Sequence, residues 1–320
     1  MTTKSKTLSA VTILVVGIGV LILFNQSGQL TTGRDKVVDS PMVTTGDGKV
    51  TDIPVAPKGD DKVAHNPIVH GGHDGAVNAP VATGYGEVVD ALIARNVAAR
   101  GGANAWRNVG SLQLTGKMDL GQGLHVPYVI KQKRPGKMCL EFDFDNQTAA
   151  QCLDGQTGWK RLPFMGRTTP EAMTEKEVSE MAGASSLDGL LFDSSKRGYN
   201  VELIGQESVD DKTTTKLKVT LPGGAVRWVY LDEETGLEVK IEAMRALRGK
   251  QRLVETWYFD WQPIDGLLIS RRQETRYEGD KESHFVTVES VNVNPPLEDA
   301  RFAMPTTSTL DRERAQEKSS

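Results

Sequence analysis

From Ser111 onward one pattern constrains the fold more than any other: apolar and polar residues alternate, segment after segment, between short turn signals. Leu112, Leu114, Met118 and Leu120 share one parity, with Gln113, Thr115, Lys117 and Asp119 on the other. The period returns in Met138, Leu140, Phe142 and Phe144 against Glu141 and Asp143, and in Leu217, Val219 and Leu221 against Lys216, Lys218 and Thr220. It returns again in Val239 and Ile241 against Glu238, Lys240 and Glu242, and in His284, Val286 and Val288 against Thr287 and Glu289. Side chains along a strand point alternately to opposite faces, so each segment has a dry face and a wet one. Asp145-Asn146, Pro222-Gly223-Gly224, Glu234-Thr235-Gly236, Asp265-Gly266 and Glu278-Gly279-Asp280 mark the turns. One-faced strands with short connections give an antiparallel meander, which must curl or close to bury its apolar side. Roughly ten strands fit.

Two helical pieces accompany the strands. Between Glu87 and Arg100, Val88, Val89, Leu92, Ile93, Val97 and Ala98 recur at helical spacing, with Asp90, Arg95, Asn96 and Arg100 on the other flank. Gly101-Gly102 stops this helix. A helix with one apolar face must lie on the sheet. The second piece interrupts the strands: Thr169 as N-cap and Pro170 as first helical residue open a stretch carrying Met173, Val178 and Met181. Leu187, Leu190, Leu191 and Phe192 follow. Such an insert either plugs the open end of the sheet or forms a movable lid over an apolar cavity.

The first third of the chain is different. Residues 1–7 contain Lys4 and Lys6, and residues 8–24 are an uncharged apolar run, Leu8 to Phe24. As a helix this run extends roughly 25 Å, close to the thickness of a bilayer core. It reads as a transmembrane signal anchor; a cleaved signal peptide is the alternative. The N-terminal lysines orient it so that the bulk of the chain lies outside the cytoplasm. The expected location is therefore a bacterial inner membrane, single-pass, with the main domain in the periplasm. Residues 25–83 lack periodicity and are rich in Gly, Pro, Asp and Thr, as in a flexible linker. The globular domain spans 84–305, and 306–320 is a polar tail. With 38 Lys+Arg against 42 Asp+Glu, the balance does not suggest a nucleic-acid partner.

Residues with chemical potential are few. His65, His70 and His73 are metal-ligand candidates by type, but they sit in the linker without the spacing of a helical zinc motif. Cys139 and Cys152 fall opposite each other if Asp145-Asn146 is a two-residue turn, which makes a cross-strand disulfide possible. No nucleophile elbow, P-loop, HExxH or dinucleotide fingerprint occurs. The expectation is a non-enzymatic chain that needs no cofactor.

The run Gly101-Gly102-x-x-Ala105-Trp106-x-x-Val109-x-Ser111-Leu112-x-Leu114-x-Gly116-x-Met118 resembles the outer-membrane lipoprotein-sorting superfamily of periplasmic carriers and receptors. Lys133-Arg134-Pro135, Asp154-Gly155-x-x-Gly158-Trp159 and the ending Asn294-Pro295-Pro296-Leu297-x-Asp299-x-x-Phe302-x-x-Pro305 extend the resemblance. It implies an unclosed, curved antiparallel barrel, about 10 to 12 strands here, with the helix and the insert covering a concave face that holds acyl chains. Leu112, Leu114, Met118, Leu140, Phe142 and Phe144 would then line that face, with Met173, Met181, Leu190 and Leu191 supplied by the insert. The function so implied is a membrane-tethered binding module for lipid or lipoprotein acyl chains. The alternative is a module that binds envelope proteins through the same barrel, without lipid cargo.

Overall fold

The computed structural model describes residues 10–16, 19–25, 83–119, 124–247 and 250–306. Two segments of the apolar N-terminal run form an antiparallel hairpin, β1 (Ala10–Val16) and β2 (Gly19–Asn25), in place of the expected transmembrane helix. Val11, Thr12, Ile13, Val15 and Val16 are β-branched, and the run contains Gly17 and Gly19. Stiff branched side chains disfavour helix and suit strands, and glycines break the helical run. Among the described residues no helix is long and apolar enough to cross a membrane. The linker and tail assigned to 25–83 and 306–320, with His65, His70 and His73, lie almost wholly outside the described residues.

Helix α1 (Thr83–Ala99) and the short α2 (Ala103–Arg107) lead into the sheet. Six strands follow in sequence: β3 (Ser111–Asp119), β4 (His125–Lys133), β5 (Lys137–Phe144), β6 (Gln147–Leu153), β7 (Gly158–Leu162) and β8 (Arg167–Ala172). Helix α3 (Glu175–Ala184) and a run of turns to 198 come next. The remaining strands are β9 (Asn200–Val209), β10 (Lys212–Thr220), β11 (Val226–Asp232), β12 (Glu238–Leu247), β13 (Lys250–Ile264), β14 (Leu267–Tyr277) and β15 (His284–Val293). Thirteen of these strands form one antiparallel sheet. Each pairs with its sequence neighbour, except that β3 pairs with β15 and joins the two halves of the meander. The sheet is unclosed, with β8 and β9 as its edges, so the segment from 173 to 199 runs from one edge to the other.

Thirteen strands exceed the expected 10 to 12, and one reason lies at Thr169 and Pro170. These residues belong to edge strand β8, not to a helix start. An edge strand tolerates proline because one side of its backbone has no ladder to feed. The helix starts at Thr174, whose hydroxyl accepts from the Glu177 amide while the Glu177 carboxylate accepts from the Thr174 amide. That reciprocal pair satisfies two otherwise orphaned donors, which the Thr169-Pro170 start would not.

The inner face of the sheet carries the alternating apolar residues. Leu114, Met118, Ile130, Leu140 and Phe142 are fully buried and pack with Met181 of α3. Leu92 and Ile93 of α1 lie on Leu217, Val219, Val229 and Leu231. Fully burying a side chain of this size contributes about 1.5 to 3 kcal/mol, so these layers hold the helices to the sheet. The polar flank of α1 is not as the spacing implied. Asn96 and Arg100 are buried, while Val88 is exposed. Asn96 donates to the Gly236 carbonyl at 2.9 Å, and Arg100 reaches into the molecule. The wet residues are thus wanted inside, where backbone carbonyls of the β11 to β12 turn need donors.

Gly101 permits the approach that follows. It sits at φ 110°, and a Cβ there would collide with the Gly266 carbonyl oxygen. Only glycine allows this backbone to lie on the β13 to β14 turn, where Leu268 N donates to the Arg100 carbonyl at 3.0 Å. Trp106 is buried beside it and donates from Nε1 to the same carbonyl at 2.9 Å.

The outer face is held by different means. On the β5 to β6 hairpin, Cys139 pairs with Cys152 in register and the two are joined as a disulfide. Trp159 and Phe302 pack over this bond, and Trp159 Nε1 donates to the Phe302 carbonyl at 3.0 Å. Trp159 therefore serves the outer face and not the interior. Further along, Lys216, Tyr230, Lys240 and Trp257 face one another across four strands, with ammonium to ring-centroid distances of 4.8, 4.6 and 5.1 Å. Cations over aromatic faces stabilise such rings without a second covering layer. A bulge at Tyr230/Leu231 brings Val239 to this outer cluster and turns Glu238 inward, opposite to a simple parity count.

Candidate functional site

The inner faces of β3 and β11 to β14, the α2 tryptophan and the segment from Gly183 to Leu190 enclose a cavity. The space between these walls, open solvent at the mouth included, is about 1080 Å³. The wall is mostly apolar: Leu112, Leu114, Ile241, Val254 and Ile269 supply it, with Leu190 on the covering side. Each projects inward because it has the right parity on its strand. Ile241 opposes Val229 on one neighbour and Thr256 on the other, and Ala243 opposes Val254.

One end of the cavity is aromatic and internally neutralised. Trp106, Tyr258 and Trp261 surround Arg100, whose guanidinium carbon lies 4.8 Å from the Trp106 ring centroid. Arg100 donates to the Asp188 carbonyl at 2.6 Å and lies 3.5 Å from a Glu238 carboxylate oxygen. Burial holds the Tyr258 hydroxyl well above its ordinary value, so it stays protonated. The other end carries Arg227 and Arg245, both inward from β11 and β12. Burial lowers the Arg227 guanidinium from its ordinary value. Burial first, and then the neighbouring positive Arg227, push Arg245 down to about 10.

The cover is fixed at one residue. The Asp188 carboxylate accepts two hydrogen bonds from Arg134, and the Asp188 carbonyl accepts from Arg100. Gly189 follows at φ 82°, where any Cβ would strike Arg100. Leu187 and Phe192 pack with Trp106 and Leu267, so the segment is seated as a roof.

The sequence-expected lining divides. Leu112, Leu114 and Leu190 line the cavity. Met118, Leu140, Phe142 and Met181 lie in a filled core beside it, with Phe144 and Met173 packed at that core's margin. Leu191 points to the cluster under α1. These seven belong to solid packing and not to the cavity wall, because α3 lies directly on β3 to β7 and leaves no space there. Sequence reasoning missed Arg100, Arg227, Glu238 and Arg245. Counting two residues at a time from Ile241 reaches Arg245, so the parity signal was present. Glu238 needed the bulge, which the pattern does not display. Among the described residues no group of His, Cys, Asp and Glu is placed to hold a metal ion.

No family model and no curated protein matches the chain. Its fold is similar to those of solved structures at low identity. A LolA superfamily protein from Nitrosomonas europaea is 13% identical over 67% of this chain and 97% of its own, with a TM-score of 0.47. An outer membrane lipoprotein-sorting protein domain from Vibrio parahaemolyticus is 14% identical over 68% and 95%, with a TM-score of 0.46. A DUF1329 family protein from Desulfovibrio piger is 13% identical over 67% and 97%, with a TM-score of 0.48.

Proposed function

We propose that this chain is a non-enzymatic, extracytoplasmic binding protein for acyl chains of lipids or lipoproteins, which it holds in the cavity between sheet and roof. The observation that carries this reading is the apolar wall of Leu112, Leu114, Ile241, Val254 and Ile269 facing Leu190 across open space. A folded domain normally fills such a space with side chains, as this one does beneath α3. Along β12, Glu238 and Arg245 stand seven residues apart, about 23 Å at the rise of a strand. That wall is longer than one leaflet of a ~30 Å bilayer core, so it offers an acyl chain an apolar surface to lie along. Each methylene transferred from water into the cavity contributes about 0.8 kcal/mol. The disulfide supports an oxidising compartment.

The test is purification without detergent followed by mass spectrometry of extracted lipids, together with titration of an acyl fluorophore into delipidated protein. Co-purified lipid and saturable binding displaced by fatty acid are expected. Absence of both, with cross-linking that captures an envelope protein instead, would overturn the reading in favour of a protein-binding module.

A further inference from the structure

One end of the cavity holds a feature that acyl chains alone do not require. Arg227 stands opposite Ala243 in the β11 to β12 ladder, and Arg245 lies two residues beyond on the same face. Arg245 is only 6% exposed, yet its Nε and one terminal nitrogen have no hydrogen-bond partner. Arg227 keeps a bond to the Val226 carbonyl at 2.9 Å. Among the described residues no carboxylate lies within 4.0 Å of either guanidinium. Glu180 of α3 faces both from further off and stands 3.9 Å from Lys176, while Tyr199 faces Arg227 and Tyr277 faces Arg245.

The opposite end shows how an arginine in the same cavity is satisfied when its role is structural. Arg100 has a carboxylate, a carbonyl and an indole face, and leaves its Nε unpartnered. Arg245 has none of these. A buried charge without a partner is costly, and two like charges side by side cost more. A guanidinium is a planar fork that matches the paired oxygens of phosphate or carboxylate, and the match strengthens away from water.

We propose that Arg227 and Arg245 form an anion-binding site at the end of the cavity, and that the ligand is an anionic amphiphile whose phosphate or carboxylate head they hold. Its acyl chain lies on Ala243, Val254 and Ile241 beyond the head. This rests on the acyl-chain reading and narrows it, because a neutral acyl ester would leave both guanidiniums unmatched. The depression of the Arg245 guanidinium to about 10 agrees: it is protonated at neutral pH, and the more distant Glu180 offsets its burial only in part.

The experiment is calorimetric titration of the delipidated full chain with hexadecyl phosphate, palmitate, hexadecanol and inorganic phosphate, repeated with Arg245→Met and Arg245→Lys. An anionic amphiphile is expected to bind at least about tenfold tighter than hexadecanol, and Arg245→Met to remove roughly 10- to 100-fold of that affinity. The readout is the ratio of anion to hexadecanol affinity in each protein, which should fall in Arg245→Met and be intermediate in Arg245→Lys. Whichever of phosphate and carboxylate binds more tightly identifies the head. Equal binding of hexadecanol and both anions, unaffected by Arg245→Met, would overturn the anion site and leave the acyl-chain reading standing. Failure of all three long-chain ligands would overturn both. Arg245-dependent binding of inorganic phosphate alone would show an anion site without an amphiphile and overturn the proposal as stated.

Discussion

Replacing Arg245 by Met should make the unliganded protein more stable. The guanidinium of this residue is moved down from its ordinary value to about 10, chiefly by burial and then by Arg227. At about 1.36 kcal/mol for each tenfold change in proton affinity, this corresponds to roughly 3 kcal/mol by which the fold disfavours the charged form. Methionine is unbranched and of similar reach, so it leaves little cavity and adds apolar contact to Ala243 and Val254. Allowing for relaxation, a gain of about 1 to 3 kcal/mol is expected, or about 2 to 12 °C in Tm for a domain of this size. The sign has a second check. A base with a lowered folded value destabilises fully at neutral pH, and the cost disappears only as pH rises above about 10 towards the ordinary guanidinium value. The advantage of Arg245→Met should therefore shrink in alkali. Urea melts followed by tryptophan emission at neutral pH and above pH 10 measure both effects. A midpoint for Arg245→Met equal to or below that of the native chain would refute the reasoning. It would mean that Glu180 already compensates the charge in the folded state.

Other outcomes follow from the fold. Gly101→Ala should cost roughly 2 to 4 kcal/mol, from its positive φ and the collision with the Gly266 carbonyl; a melt within 0.5 kcal/mol of native, about the size of a neutral surface change, would contradict the close approach. Reducing the Cys139 to Cys152 bond, which closes a 13-residue separation, should lower stability by about 2 to 3 kcal/mol; reduction that leaves the denaturation midpoint unmoved would show that the sheet alone fixes this hairpin. Asp299 accepts from Lys133 and Lys137 at 2.7 and 2.8 Å, and these bonds lower its carboxyl from 3.8 to about 2. Its hold on the C-terminal segment is present above 3.8 and lost as pH falls towards 2. Carboxyl titration by NMR should show that low value, rising in Lys133→Ala with Lys137→Ala; a titration near 3.8 in the native chain would exclude the ion pairs.

How far the sequence carried depends on whether a residue's environment is local. The alternation in β3, β5, β10 and β15 needs only neighbours two apart, so faces and turns were legible. The cysteine register followed from a two-residue turn, and Cys139 stands opposite Cys152 as that turn requires. The N-terminal hairpin and β8 were misread because length and a Thr-Pro pair were weighed without strand partners. Edge position is a property of the assembled sheet.

The site divides along the same line. Leu112 and Leu114 lie inward on a strand and line the cavity, yet Leu140 and Phe142 obey the same rule and lie in the packed core with Met181. What separates them is the roof: α3 seats on β3 to β7, whereas Gly183, Ser186 and Gly189 over β11 to β14 are too small to fill the space below. The arginines reverse the usual inference from pattern. A charge on the dry parity of β12 looks like an exception to the alternation, and Arg245 is indeed inside, at a cost to the fold. Arg100 occupies the same cavity and is matched by Glu238 and the Asp188 carbonyl. The difference between those two arginines is the ground for the proposed anion site: one is matched within the fold, and the other would be matched by a ligand.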